Sequence, residues 1–382
     1  MHPVLHPATE SSRSSSEPTV VAFDGGPLLG PLTGIGAAVE QLAALLADRA
    51  DVTVRPYALS FRGTLPANTT RLPLPALVAH RLWGRVQQPR LDHWLRPAQV
   101  VHGTNYVVPP SRLPRLVSVY DCWFLRNPTL ASGDVARAGR VLRRAVDRGA
   151  MVHASSHATA AVVRDVLGTD RVEVVHLAAL PRSPMPAAEA RAPIAELRDA
   201  PFIVSIGTLE RRKNVPRLVR AFGQIAAAQP DLRLVLAGAD GDDRDAIDAA
   251  IDELPTAVSA RIVRTGRIDV EAKEWLLQHA RVLAYPSLDE GFGFPLLEAM
   301  QRDLPVVAST RGSIPEVAGD AALLVDADDT DALAHALQTA TSDEEVRAQL
   351  IERGHRQLEA FSWTQAAASL AGLYARLAEE GT

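Results

Sequence analysis

Two short stretches hold the residues best suited to chemistry. The first runs from Glu290 through Gly291, Phe292, Gly293, Phe294, Pro295, Leu296 and Leu297 to Glu298, two carboxylates with seven residues between them. It follows an apolar run, 282–285, and leads into a helix-forming segment. Pro295 suits a first helical turn, where its missing N–H is no loss. Gly291 and Gly293 let the backbone approach a ligand without side chains in the way. The free N–H groups and dipole of a helix start favour phosphate. Carboxylates set directly against a diphosphate would repel it. Glu290 and Glu298 are therefore read as accepting hydrogen bonds from hydroxyls on either side of the phosphates, a sugar on one side and a ribose on the other. The second stretch is GTLERRKN, Gly207 to Asn214. Arg212 and Lys213 follow a strand and a glycine, where paired cations would neutralise charge growing on a phosphate leaving group. Arginine offers a planar fork and lysine a compact point charge. Alone, the first stretch also fits a tight turn with incidental acids, and the second a basic surface loop. In one half of the chain together, they point to a nucleotide diphosphate site.

The elements that must position these residues alternate in α/β fashion. Strands are predicted at 19–23, 51–57, 100–102, 116–120, 150–154 and 171–175, with helices at 37–49, 134–148 and 156–167. Gly34, Ile35 and Gly36 form a glycine loop after the first strand, able to hold phosphate or admit a ligand. The dinucleotide fingerprint fails there, because Val39 occupies its third small position, so a nicotinamide dehydrogenase is disfavoured. Tyr120 and Asp121 end a strand, where ligands of open α/β sheets gather. Residues 75–97 combine Trp83 and Trp94 with four arginines, and fit either helices packing their tryptophans or a membrane-touching segment. Prolines 181, 184, 186 and 193 interrupt the pattern, and the alternation restarts at 202. The domains read as 1–18, a disordered tail; 19–180, an N-terminal Rossmann-like domain; 181–200, a linker; 201–361, a second, C-terminal Rossmann-like domain; and 362–382, a C-terminal helix free to pack back on the N-terminal domain. The fold class is α/β, two doubly wound domains facing across a cleft.

Composition narrows the function classes. With 382 residues, 47% hydrophobic content and one cysteine, Cys122, the chain can build two cores but no internal disulfide framework or multi-thiolate zinc site. Residues 1–18 lack the apolar core of a signal peptide, and no run is long and apolar enough to span a bilayer. A cytoplasmic location is expected. The net charge of −5 hides an asymmetry: 19 arginines against 13 acids in residues 1–180, then 21 basic residues against 32 acids. Sixteen of those arginines, against five acids, fall within 49–148. That excess suits an anionic acceptor or the inner membrane face, and equally a solvated face decorated by arginine-rich codon usage. No nucleic-acid partner is implied.

The motifs together carry a resemblance. GTLERRKN, EGFGFPLLEAM with its E-x7-E spacing, and GSIPEV resemble the donor domain of the retaining glycosyltransferases of family 4, which adopt the GT-B fold. TGIGAAVEQLAALL, VSVYDCWFLRNP and FSWTQAAASLAGLYARL resemble that family's N-terminal glycine loop, acceptor segment and closing helix, so the likeness spans about residues 19–379. Bacterial mannosyltransferase-like members are the nearest in look. The resemblance implies a hexosyltransferase that moves mannose, or another hexose, from a GDP- or UDP-linked sugar to a hydroxyl of a glycan, glycolipid or small molecule. It implies no cofactor and no metal, with the leaving diphosphate acting as base for the incoming hydroxyl. Arg212 and Lys213 would hold the diphosphate, Glu290 the transferred sugar and Glu298 the ribose. Gly293 to Leu297 would supply backbone near sugar and phosphate, and Gly207 and Gly291 belong to the same donor set. Gly266, Arg267 and Ile268 would lie near the base. Gly34, Ile35 and Gly36 would approach from the opposite domain, and Asp121 would serve the reaction there.

Two departures stand out. Many members carry His-Asp where this chain has Tyr120-Asp121, and an unperturbed tyrosine is no proton shuttle near neutral pH. Tyr120 either makes only a hydrogen bond, or the acceptor chemistry differs. The stretch His176-Leu177-Ala178 stands where a glycine is common. The acidic runs 240–245 and 326–331 are read as solvated turns and caps rather than metal sites. Two other readings remain. A sugar-nucleotide epimerase or a phosphorylase shares the fold, and a phosphorylase would need a pyridoxal-bearing lysine from Lys213 or Lys273, the only two. An inactive scaffold finds support in Tyr120 and opposition in the intact cation and carboxylate set.

Overall fold

The computed structural model describes residues 17–30, 33–60, 65–66, 68–182 and 195–381. The expected tail at 1–18 lies outside these apart from Glu17 and Pro18, as do positions 183–194 of the expected linker.

The N-terminal half is a seven-stranded parallel sheet of order β3-β2-β1-β4-β5-β6-β7. Its strands are β1 (Thr19–Asp24), β2 (Val52–Ala58), β3 (Thr70–Arg71), β4 (Val100–Gly103), β5 (Arg115–Val119), β6 (Met151–Ala154) and β7 (Val172–Val174). The helices are α1 (Gly34–Ala47), α2 (Ala76–Trp83), α3 (Trp123–Arg126), α4 (Gly133–Asp147) and α5 (His157–Leu167). β4 and β5 are buried throughout, covered on both faces, with His102, Arg115 and Ser118 among their apolar residues. α1 begins three residues earlier than the sequence predicts. The Thr33 side chain accepts the Gly36 N–H at 3.1 Å, so the cap pulls Gly34 and Gly36 into the first helical turn. In the region 75–97, α2 is the one helix; Trp83 is in the core, while Trp94 is 42% exposed.

The C-terminal half repeats the plan with a six-stranded parallel sheet, β10-β9-β8-β11-β12-β13. Its strands are β8 (Phe202–Ile206), β9 (Arg233–Ala237), β10 (Ile262–Gly266), β11 (Val282–Tyr285), β12 (Val306–Ser309) and β13 (Ala322–Val325). The helices are α6 (Val215–Ile225), α7 (Arg244–Asp252), α8 (Thr256–Ser259), α9 (Val270–His279), α10 (Phe294–Met300), α11 (Ile314–Ala318), α12 (Thr330–Ser342), α13 (Glu344–Glu359) and α14 (Trp363–Glu380).

The last helix, α14, crosses back to pack on α1, β1 and β4. A buried chain of hydrogen bonds fixes it there. Tyr374 Oη lies 2.7 Å from His102 Nδ1, His102 Nε2 2.8 Å from Ser118 Oγ, Ser118 Oγ 2.8 Å from His153 Nδ1, and His153 Nε2 3.1 Å from the Val175 carbonyl. The carbonyl can only accept, so His153 donates from Nε2; with both imidazoles neutral its Nδ1 accepts, and that condition orders every proton back to the Tyr374 hydroxyl, which donates to His102. Burial drives the same way, lowering His153 to about 4 and His102 well below its usual value.

Candidate active site

The loops after β8 and β11 meet at the C-terminal edge of the second sheet. Gly207 leaves β8 with φ +139°, a conformation that favours glycine, and a Cβ on Gly238 would lie 1.9 Å from its carbonyl oxygen. A short 3-10 turn, Arg211–Lys213, then aims two cations back at the sheet. Asn214 holds that turn by donating to the carbonyls of Pro286 and Ala327 at 3.1 and 2.9 Å. From the other loop, Glu290 comes between the two cations. Arg212 Nη1 lies 2.6 Å from Glu290 Oε2, and Lys213 Nζ 2.7 Å from Glu290 Oε1. Gly312 supports this arrangement from below: a Cβ there would sit 2.5 Å from the Glu290 carbonyl oxygen, and Ser313 donates its N–H to that oxygen at 3.0 Å.

Burial opposes all three charges, and their proximity answers it. Burial would raise the Glu290 pKa, but Lys213 and Arg212 outweigh it and bring the carboxyl down to about 2. Burial likewise disfavours the Arg212 charge, and Glu290 more than offsets it, so its pKa rises. Lys213 is pushed down by burial, with Glu290 drawing it the other way. Its ammonium also donates to Tyr285 Oη at 3.1 Å and lies 4.7 Å from that ring's centre. Glu210 also pairs with Arg212, more loosely at 3.5 Å, and two adjacent cations at the cleft wall suit a leaving diphosphate. A carboxylate offers about four acceptor positions, so Glu290 retains capacity for hydroxyl donors beyond its two cations.

Glu298 is buried in α10, and its Oε1 pairs with Lys273 Nζ of α9 at 2.6 Å. Behind it lies a second pair: Arg302 Nε donates to Glu274 Oε1 at 2.8 Å, and Arg302 Nη1 to the Glu298 carbonyl at 2.7 Å. Gly293, with φ +96°, starts α10.

The N-terminal domain closes over this site. The Gly291 carbonyl accepts three hydroxyls from it: Ser155 Oγ at 3.0 Å, Ser156 Oγ at 2.8 Å and Thr159 Oγ1 at 3.0 Å. Glu316, from GSIPEV, accepts the first N–H groups of α5, His157 at 2.8 Å and Ala158 at 3.1 Å, and pairs with His176 at 2.5 Å. Among the described residues, His157, His176 and Glu316 are the one group whose donor atoms could surround a metal ion, and it belongs to this domain contact. Asp326 and Asp328 pair with Arg311, and the Asp242 carboxylate accepts the Arg211 N–H.

Between the domains lies a cleft of about 700 Å³. Of the residues singled out from sequence, Arg212, Lys213, Glu290, Glu298, Asp121, Tyr120, Gly207, Gly34 and Ile35 line it, as do Gly291 to Pro295. Asp121 Oδ2 accepts the Tyr106 hydroxyl at 3.1 Å. The Tyr120 hydroxyl is buried and makes no hydrogen bond among the described residues; burial pushes its pKa up, with nearby Ser118 drawing it back slightly. Leu296 and Leu297 are buried in the core and are absent from the cleft lining. Gly36 is buried inside α1 and does not line the cleft. Gly266 ends the edge strand β10, Arg267 and Ile268 follow it, and all three are absent from the cleft lining. Sequence reasoning missed Lys273, Tyr285, Asn105 and Tyr106, which do line it. Lys273 stands 25 residues from Glu298 on a different helix, so no local spacing announces the pair.

Comparison with known proteins gives the family. A family profile described as Glycosyl transferases group 1 matches residues 187–357. An O-antigen chain mannosyltransferase B of Escherichia coli is 30% identical over 373 residues, covering 90% of this chain and 96% of the relative. The chain belongs to the glycosyl transferases group 1. A GDP-mannose-dependent monoacylated alpha-(1-6)-phosphatidylinositol monomannoside mannosyltransferase of Corynebacterium glutamicum is 31% identical over 172 residues, 43% of this chain and 44% of that one. A sucrose-phosphate synthase from Thermosynechococcus elongatus shares the fold, with a TM-score of 0.69 at 21% identity, covering 94% of this chain and 99% of that one. The glycosyltransferase thus has the GT-B architecture, and it is a hexosyltransferase rather than a scaffold or an epimerase. Both of its lysines are paired with carboxylates of the cleft.

Proposed function

We propose that this glycosyltransferase transfers mannose from GDP-mannose to a hydroxyl of a glycan or glycolipid, with retention at the anomeric carbon and without a metal ion. The observation that carries the reading is the meeting of Arg212, Lys213 and Glu290 at the C-terminal edge of β8 and β11, in a cleft that also holds Asp121. Arg212 and Lys213 stabilise the leaving diphosphate, and the Glu290 carboxylate holds hydroxyls of the transferred sugar. The buried Glu298 accepts the ribose hydroxyls, with Lys273 fixing its position. In a front-face reaction the departing phosphate oxygen takes the proton of the incoming hydroxyl while the bond to the sugar forms on the same side. Asp121 orients that hydroxyl from the N-terminal domain. The names of the two mannosyltransferase relatives support the choice of mannose, and the second supports GDP.

Exposed Val78, Leu82, Val86 and Trp94 lie on and after α2 beside Arg81 and Arg85, which supports contact with the inner face of a membrane. No described helix is long and apolar enough to cross one.

Calorimetry with GDP, UDP, ADP and dTDP, each with and without EDTA, tests the donor. Binding selective for GDP and unchanged by EDTA is expected. Proton NMR of the product formed from GDP-mannose then reads the anomeric configuration. Preference for another base, a requirement for metal, or an inverted product would refute the corresponding part.

A further inference from the structure

Each sheet reverses its strand order once, and ligands of open α/β sheets bind at such reversals. In the C-terminal sheet the reversal lies between β8 and β11, whose loops carry Arg212, Lys213 and Glu290. In the N-terminal sheet it lies between β1 and β4; the connection after β1 brings Gly34 and Ile35 to the cleft, and the loop after β4 has no part in the proposed donor chemistry. β1 ends at Asp24, and β4 runs into the loop Gly103–Val107, tied to β1 by Thr104 Oγ1 donating to the Asp24 carbonyl at 2.8 Å.

That loop is tightly built. A Cβ on Gly103 would lie 1.9 Å from the Val107 carbonyl oxygen. Tyr106 is held at φ +59°, uncommon for a non-glycine residue and a form of strain that clusters at functional sites. Its hydroxyl bonds Asp121 twice, donating to Oδ2 and accepting the Asp121 N–H at 3.2 Å. The same turn leaves Asn105 Oδ1 buried without a hydrogen-bond partner among the described residues. Such an oxygen is costly unless something donates to it.

Three cavities meet at Asn105: the cleft, a recess of about 270 Å³ beside Asp24, and a chamber of about 420 Å³ between α2 and α4. The chamber falls within the usual size of ligand sites, about 300–1,000 Å³. Tyr106 and Phe124 give it aromatic walls, and His80, Asp134 and Arg137 give it polar groups. Asp134 and Arg137 pair with each other, so the chamber carries no net attraction for a phosphate. Apolar faces beside hydrogen-bonding groups match a pyranose, with its C–H face and its ring of hydroxyls.

We propose that the Gly103–Val107 loop is the acceptor-recognition element, and that the acceptor is a glycan of at least two sugars. Asn105 accepts a hydroxyl of the sugar that receives the transfer, and the chamber between α2 and α4 holds the sugar behind it. Tyr106 is a positioning residue that aims Asp121. This assignment rests on the mannosyl-transfer reading, so its test separates the two. GDP affinity is measured by calorimetry. Transfer from GDP-mannose is then measured to methyl glycosides of mannose and N-acetylglucosamine and to the disaccharides of each.

A disaccharide should be used at least about tenfold more efficiently than its monosaccharide. Leu77 of α2 also lines the chamber, and Leu77→Trp, which narrows it, should erase that advantage. Asn105→Ala should raise the acceptor KM about tenfold, the effect of one lost hydrogen bond, and leave GDP affinity within twofold. Equal use of mono- and disaccharides, no use of any disaccharide despite GDP binding, or an Asn105→Ala variant with an unchanged acceptor KM overturns the proposal. Absence of GDP binding in the unmodified protein overturns the donor reading instead, and this assignment with it.

Discussion

A Cβ built on Gly291 would lie 1.5 Å from the Tyr120 carbonyl oxygen, so the donor loop and the acceptor strand touch backbone to backbone. No side chain can bend away to relieve that overlap, since both sides are main chain. The Gly291 carbonyl simultaneously holds three hydroxyls of the N-terminal domain. Gly291→Ala should therefore force the domains apart. Turnover should fall at least about 100-fold, because a misplacement of about 1 Å costs that much. GDP affinity should drop far less, since the diphosphate cations lie in the C-terminal domain alone. Steady-state kinetics beside calorimetry checks this, and near-normal turnover would show that the close approach is dispensable.

Glu290 stands between Arg212 and Lys213, and its pKa of about 2 lies below the ordinary 4.5. A depressed carboxylate contributes stability that is present above pH 4.5 and lost as pH falls through 2. The shift corresponds to about 3 kcal/mol. Glu290→Gln should thus be less stable than the unmodified protein at pH 7, with the gap closing between pH 4.5 and 2. Removing the carboxylate also frees two cations for phosphate. GDP should bind at least as tightly, while turnover falls about 100-fold or more. Melting curves across pH and GDP titrations read the two effects separately, and weaker GDP binding would contradict the electrostatic account.

Much of the donor side was legible because its chemistry is local in sequence. Arg212 and Lys213 are adjacent, and Glu290 and Glu298 flank a turn that any strand–glycine–helix reading finds. What the residues alone could not show is that Glu290 is the counter-ion of that cation pair, because 77 positions separate it from Lys213. The sheets were legible for a similar reason: buried parallel strands are short apolar runs. The acceptor side was harder to read. Asn105 and Tyr106 sit in an ordinary-looking GTNY turn, and only the reversal between β1 and β4 gives that turn its place. The start of α1 was misjudged because two glycines suggested a loop, whereas the Thr33 cap stabilises them in a helix.

Asp24 predicts an opposite pH dependence. Burial raises its pKa to about 7, against a bond from the Gly26 N–H that pulls it down. A carboxyl whose folded pKa is raised contributes stability that is fully present below pH 3.8 and lost as pH rises through 7. Asp24→Asn keeps the acceptor oxygen for Gly26 and removes the charge. Because Asp24 is only half-buried by surface, the gain at pH 8 should be about 2–3 kcal/mol. Little difference is expected at pH 4. Melting temperatures of both proteins at the two pH values decide it, and a gap independent of pH would show that Asp24 is ionised throughout.

Arg302 and Glu274 are both almost fully buried, and Arg302 also holds the Glu298 carbonyl. Glu274 follows Lys273 on α9, so one helix supplies both the partner of Glu298 and the partner of the arginine behind it. Breaking such a pair on one side strands a buried charge, at about 3–5 kcal/mol, whereas replacing both members with apolar residues of similar volume can be neutral. Arg302→Met alone should cost that much and weaken GDP binding, because the Glu298 backbone loses its support. Adding Glu274→Met should recover most of the stability, since the stranded carboxylate is gone. It should leave GDP binding weak, since the Glu298 carbonyl still lacks its donor. A double-mutant cycle in denaturant, with GDP titrations on all four proteins, checks both halves. Additive stability losses would mean that the two charges are not coupled, and full recovery of GDP affinity in the double variant would mean that the bond to the Glu298 carbonyl does not position the donor site.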